Sequence, residues 1–108
     1  MDIKESFLQY IRTGKRYSRH TVTSYKNDLN QFFSWLEENN PGATAAGVTH
    51  GDVRGWMVSL LENGAATGTV HRKISALRAL FRYMLRHELV KSDPVAGLKL
   101  PKKKKQLP

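Results

Sequence analysis

The chain predicts an all-α fold, and three observations carry that reading. Apolar residues recur at three- and four-residue steps through nearly every long segment, and no stretch shows the sustained alternation of a half-buried strand. Helix-capping and helix-stopping residues bracket each periodic run. With 108 residues and 40% hydrophobic content, the chain builds one compact core and is too short for two ordinary domains.

The first helix is expected from about Asp2 to Arg12, with Ile3, Phe7, Tyr10 and Ile11 on one side. Gly14 sits where a left-handed terminating residue costs least. Lys15, Arg16 and Tyr17 form a short basic connection to the second helix, which Ser18 caps and which continues to about Glu38. Its core stripe is Val22, Tyr25, Leu29, Phe32, Phe33 and Leu36, and Asn39-Asn40-Pro41-Gly42 ends it. Thr49 followed by Asp52 has the form of a capping box and opens a third helix with Val53, Trp56, Met57, Leu60 and Leu61 inward, closed by Asn63 and Gly64.

The fourth helix, with Thr67 as its expected cap, runs through Thr69 to Arg86 and has two unlike faces. Val70, Ile74, Leu77, Leu80, Phe81, Met84 and Leu85 form a broad apolar side, while His71, Ser75, Arg78, Arg82 and Arg86 line the other. Glu88 is the only acid between Asn63 and Ser92, so nothing local neutralises that basic face. Lys73 lies nearer the core boundary, where its methylenes can cover apolar neighbours. A short turn over Glu88 to Lys91 is expected next, and Ser92-Asp93-Pro94 starts another brief helical turn. From Lys99 onward no apolar periodicity remains, and the segment reads as a flexible, extended basic tail.

Lys plus Arg number 18 against nine Asp plus Glu, a net charge of +9, which favours polyanionic partners. Five of those lysines are Lys99 and Lys102 to Lys105, leaving 13 basic and nine acidic groups, about +4, in residues 1–98. The absence of cysteine removes disulfides, thiolate metal sites and cysteine nucleophiles. No apolar run reaches the roughly 18 to 20 residues that span a bilayer, and the N-terminus MDIKES lacks a signal peptide's apolar segment, so a cytoplasmic location without membrane attachment is expected. His20, His50, His71 and His87 are dispersed and form no metal motif, and Tyr10, Tyr17, Tyr25 and Tyr83 sit in helical stripes or a loop. The expectation is no cofactor, no metal, no small-molecule substrate and no catalytic residue in this chain.

These four helices and their spacings resemble the N-terminal core-binding domain of the tyrosine recombinases, the phage-integrase and Xer-type family. The resemblance rests on Ser18-x-x-Thr21-x-x-x-Tyr25-x-x-Asp28-Leu29-x-x-Phe32, on Arg72-Lys73-Ile74-Ser75-Ala76-Leu77-Arg78 with Phe81 and Tyr83, on Asp93-Pro94-Val95-Ala96, and on the lysine-rich Pro101 to Pro108. It implies a SAM-like orthogonal four-helix bundle over residues 1–98, with 99–108 a basic linker toward an absent catalytic domain that holds the active-site residues. It also implies that the second and fourth helices lie across double-stranded DNA, in a protein that works with other recombinase subunits. Where the family has a small polar residue before the fourth helix, this chain has Ala66 with Thr67 beside it, which points to a cap shifted by one residue.

The candidate DNA contacts are Lys15, Arg16, Arg19, Thr23 and Lys26 around the second helix, His71, Arg72, Ser75, Arg78 and Arg82 on the fourth, and Lys102, Lys103, Lys104 and Lys105 in the tail. Most such contacts go to phosphate and supply affinity rather than specificity. The ordinary alternative for each is a solvated face or a solubilising loop. Two other functions fit the same residues: a helical protein-interaction domain docking on an acidic partner, and a transcription regulator using the third and fourth helices as a helix-turn-helix pair.

Overall fold

The computed structural model describes residues 2–102 and contains four α-helices, α1 (Ile3–Gln9), α2 (Arg19–Asn39), α3 (His50–Glu62) and α4 (Thr67–Arg86). A π-helical turn, Tyr10–Gly14, continues α1, and a 3₁₀ turn, Ala45–Gly47, precedes α3. Among the described residues there is no strand, as the periodicity requires, and no helix is long and apolar enough to cross a membrane.

Three of the four helix starts are capped by side chains. Asp2 accepts from the Glu5 amide at 2.9 Å, Ser18 from the Thr21 amide at 3.1 Å, and Thr49 and Asp52 exchange both bonds of a capping box at 3.0 Å. The fourth start departs from expectation. Thr67 is already helical, the Val70 amide donates to the Ala66 carbonyl at 3.0 Å, and Ala66 therefore occupies the N-cap, where its methyl side chain has no acceptor to cap the helix. The cap is therefore not displaced onto Thr67.

The helix ends show which residues tolerate a left-handed backbone. At the end of α3 the Ala65 amide donates to Leu60 O and the Gly64 amide to Leu61 O, a Schellman pair turning on Gly64 at φ 85°. The same pair closes α4, Leu89 to Met84 O and Glu88 to Leu85 O, but there Glu88 takes the left-handed position at φ 59°. After α1 the expectation for Gly14 fails. The π turn bonds Lys15 N–H to Tyr10 O at 3.1 Å, and Tyr17 N–H then reaches Ile11 O at 2.9 Å, so the reversal falls on Arg16 at φ 56°.

α4 is the central element and packs on each of the other three helices. It buries Val70, Lys73, Ile74, Ala76, Leu77, Leu80, Phe81 and Met84 against Phe7 and Ile11 of the first segment, Leu29, Phe32 and Leu36 of α2, and Val53, Trp56 and Met57 of α3. Leu61 and Leu85, assigned to core stripes by periodicity, are 38% and 41% exposed because each sits in the last turn of its helix, past the neighbouring packing surface.

Beyond α4 the expected helical turn after Ser92 is two successive hydrogen-bonded turns, Ala96 N–H to Asp93 O at 3.2 Å and Leu98 N–H to Val95 O at 3.1 Å. Val95 is buried, and the Asp93 carboxylate accepts from its amide at 2.9 Å. The chain does not leave the body at Lys99: Leu98 and Leu100 pack against the core, and the Pro101 carbonyl lies 2.6 Å from His71 Nε2. Two spaced leucines are enough to hold a segment that lacks helical periodicity. Lys102 is exposed, and Lys103, Lys104 and Lys105 lie outside the described residues.

Glu88 carries a conformation that costs a residue with a Cβ about 1–2 kcal/mol, while glycine adopts it freely at some cost in chain entropy. Glu88→Gly is expected to raise stability by about 0.5–1 kcal/mol, or about 3–6 °C in midpoint, measured by thermal circular dichroism.

Candidate nucleic-acid interface

The polar geometry of the domain is organised by one carboxylate. Asp28 on α2 is 1% exposed, and a single oxygen, Oδ1, accepts from both Arg72 Nη2 and Lys73 Nζ of α4 at 3.0 Å. Lys73, itself buried, also donates to Gln31 Oε1 one turn further along α2. Asp28 Oδ2 is buried without a hydrogen-bond partner among the described residues. Lys73 is thus more than a boundary residue covering apolar neighbours: its ammonium is the inner half of a buried ion pair. Arg72, half exposed at 51%, spends one N–H on Asp28 and keeps its other donors toward solvent.

This contact fixes which side of α2 adjoins α4. Asp28 and Gln31 face α4, so by helical spacing His20, Ser24 and Asn27 flank the same junction. The stripe Arg19, Thr23, Lys26 and Asn30 lies on the other side. Lys4 of α1 donates to Asn30 Oδ1 at 2.6 Å, and Lys26 lines a groove with Glu5, Leu8, Gln9, Arg12 and Val22. The structure therefore does not bring the two sequence-assigned stripes onto one surface. The α2 residues nearest the polar face of α4 are His20, Ser24, Asn27 and Gln31. Periodicity alone cannot identify them, although Asp28 in the α2 motif was the available signal, since a buried acid needs a cationic partner.

On α4 the basic residues divide by what they touch. His71 is tied to the Pro101 carbonyl, and its own carbonyl accepts from Ser75 Oγ at 2.9 Å, so both are engaged within the domain. Arg78 is partly exposed and Arg82 exposed, and neither has an acidic partner among the described residues. Arg82 also lines a cleft of about 180 Å³ with Lys15, Tyr17 and Arg86, the last donating to the Tyr10 hydroxyl at 2.9 Å. Lys15, Arg16, Arg19 and Thr23 are exposed around the start of α2. Among the described residues no group of three or more His, Asp or Glu side chains is placed to hold a metal ion.

Tyr25, one turn before Asp28, stacks edge-on with Tyr17 at 6.2 Å. Burial pushes its hydroxyl pKa above the ordinary value, with Tyr17 and the Asp28 carboxylate adding to the rise.

An all-helical bundle whose polar geometry centres on a buried acid between its second and fourth helices matches the phage integrase N-terminal SAM-like domain over residues 5–88, and the chain belongs to that family. Among its relatives are the tyrosine recombinase XerC of Oceanobacillus iheyensis, 36% identical over 104 residues, covering 96% of this chain and 34% of the relative. XerC of Anoxybacillus flavithermus is 31% identical over 102 residues, covering 94% and 34%. XerD of Oceanobacillus iheyensis is 29% identical over 104 residues, covering 96% and 35%. The chain spans about a third of the length of the relatives it matches. No solved structure matches it significantly.

Removing one partner of a buried ion pair leaves an uncompensated charge, at a cost of about 3–5 kcal/mol, whereas replacing both by apolar groups of similar size is often neutral. Asp28→Ala is expected to lose stability in that range by urea denaturation, and Asp28→Leu combined with Lys73→Met to recover most of it. Tyr25 gives a second test. Its folded pKa is raised, so its contribution is fully present below the unfolded value of about 10 and is lost as pH rises through the folded one. Tyr25→Phe, which leaves no donor unpaired, is expected to flatten the alkaline fall in stability above about pH 10 relative to the unmodified chain.

Proposed function

We propose that this chain is a DNA-binding module of a site-specific tyrosine recombinase or integrase, holding duplex DNA while a separate catalytic domain performs strand exchange. The observation that carries the reading is the division of charge on α4. Asp28 takes up one equivalent of the Arg72 and Lys73 charge inside the bundle, while Arg78 and Arg82 face outward with no carboxylate beside them. Cations without partners on a rigid helix are free to replace the counterions of a phosphate backbone. The contact surface is built from Arg72, Arg78 and Arg82 of α4, the adjoining polar side of α2 at His20, Asn27 and Gln31, and the basic connection at Lys15 and Arg16 just before α2, near whose start the free amides favour anions. Lys102 extends it, and Lys103 to Lys105 add charge of the same sign. The relatives are named as recombinases over their full lengths, which supports assigning the chemistry to a region outside residues 5–88.

Fluorescence anisotropy of a labelled duplex is expected to show weak, salt-sensitive binding. Neutralising about five phosphates gives a slope of log K against log salt of roughly −4 to −5. Arg78→Gln should make that slope less negative by about 0.9, the worth of one phosphate contact, while Lys26→Gln, on the α1 side of α2, should change it little. Absence of binding at low salt, or binding indifferent to salt, overturns the proposal.

A further inference from the structure

We infer that the cleft between the π-helical turn and the C-terminal half of α4 is a phosphate-binding site, receiving one phosphate oxyanion between Lys15, Arg82 and Arg86. For a backbone phosphate as its source, this rests on the DNA-binding reading above.

The cleft has charged side chains of one sign only. Lys15 comes from one wall, Arg82 and Arg86 from the other, and none of the residues lining it is acidic. Tyr10 and Tyr17 add hydroxyl-bearing rings, and Phe7, Ile11 and Ala79 supply an apolar floor. Low-dielectric walls around like charges concentrate positive potential in the gap. The tyrosine hydroxyls and the guanidinium forks are donors of the kind a phosphate oxyanion accepts from. A volume of about 180 Å³ suits such a group with water around it. It falls below the roughly 300–1,000 Å³ typical of pockets for organic ligands.

The backbone bears this out independently. A regular α-helical end after Gln9 would not set Lys15 and Tyr17 where they stand. The five-residue π turn with its Lys15 to Tyr10 bond, followed by Arg16 in a left-handed conformation, brings both residues to the cleft. π turns and strained non-glycine residues are both concentrated at functional sites, and here they adjoin the same cleft. Arg86 is already oriented by its bond to Tyr10, and Tyr83 packs on Tyr10 at 5.0 Å, so one cation and two rings are held in place before any ligand arrives.

The test pairs two probes, inorganic phosphate and a short DNA duplex, on the unmodified chain, on Lys15→Gln with Arg82→Gln, and on a control of equal charge loss at exposed sites outside the cleft, Arg54→Gln with Lys91→Gln. In amide-correlated NMR, phosphate is expected to shift Lys15, Tyr17 and Arg82 saturably, and the cleft variant to abolish those shifts while its circular dichroism and melting remain normal. With the duplex, the cleft variant should make the salt slope less negative by about 0.9, and the control should leave it unchanged. Phosphate shifts that are absent, or spread evenly over the exposed cations, overturn the site. So does a cleft variant that behaves as the control does. Localised phosphate shifts in a chain that binds no duplex uphold the cleft, assign it to a free phosphate, and overturn the DNA-binding reading instead.

Discussion

The Asp28 to Lys73 ion pair is the constraint on which the remaining geometry depends. Apolar packing alone permits α2 and α4 to slide or rotate by small amounts, since Leu29, Phe32, Ile74 and Leu77 make no directional bonds. A buried carboxylate that meets an ammonium at 3.0 Å, with Gln31 one turn away as a second acceptor, has one satisfactory register. Desolvating both charges offsets much of their attraction, so the pair's contribution is better read as fixing one arrangement than as adding stability. The Arg72 bond differs: its half-exposed guanidinium is screened by solvent and adds little to stability. That bond instead sets the direction in which the remaining donors of Arg72 point.

Once α2 and α4 are locked, the division of basic residues follows. The α4 stripe becomes an outer surface, with α2 beside its early turns at Arg72 and the connection after α1 beside its later turns at Arg82 and Arg86. Its early part is drawn inward, His71 toward Pro101 and Ser75 toward the His71 carbonyl. The unpaired charge is therefore concentrated from Arg78 onward, where the periodic pattern alone gives every position equal weight. The His71 and His50 contacts, to the carbonyls of Pro101 and Pro94, hold the departing segment along the starts of α4 and α3. Pro101 thus lies beside the helix proposed to lie on DNA.

Much of this fold is legible in the sequence where the cause is local. Ser18, the Thr49 and Asp52 pair and Gly64 act through bonds spanning five residues or fewer, so their identity settles their role. Ala66, Arg16 and Glu88 are the counterexamples. Each occupies a position for which a better local residue exists, and packing of the flanking helices places it there regardless. The α2 stripe of Arg19, Thr23 and Lys26 shows the same limit one level higher. Periodicity gives which residues share a face, while the neighbour of that face is decided by contacts such as Asp28 to Lys73 and Lys4 to Asn30, separated by 45 and 26 residues.

The cleft at Lys15, Arg82 and Arg86 lies at the far end of that scale, because it exists only through a departure from regular helix. In a chain that continued α1 as an α-helix and reversed at Gly14, Lys15 would simply be a loop cation, with no reason to face α4. The π turn moves the reversal two residues later and puts the strain on Arg16. A left-handed arginine persists only when its surroundings over-determine it, and here they do: Tyr17 is bonded back to Ile11, and its ring rests on Tyr25, itself one turn from Asp28. The same carboxylate that sets the register of α2 and α4 therefore anchors the helix against which the strained connection is braced. The interior ion pair and the proposed phosphate site are two ends of one packed structure, joined through the Tyr17 to Tyr25 contact.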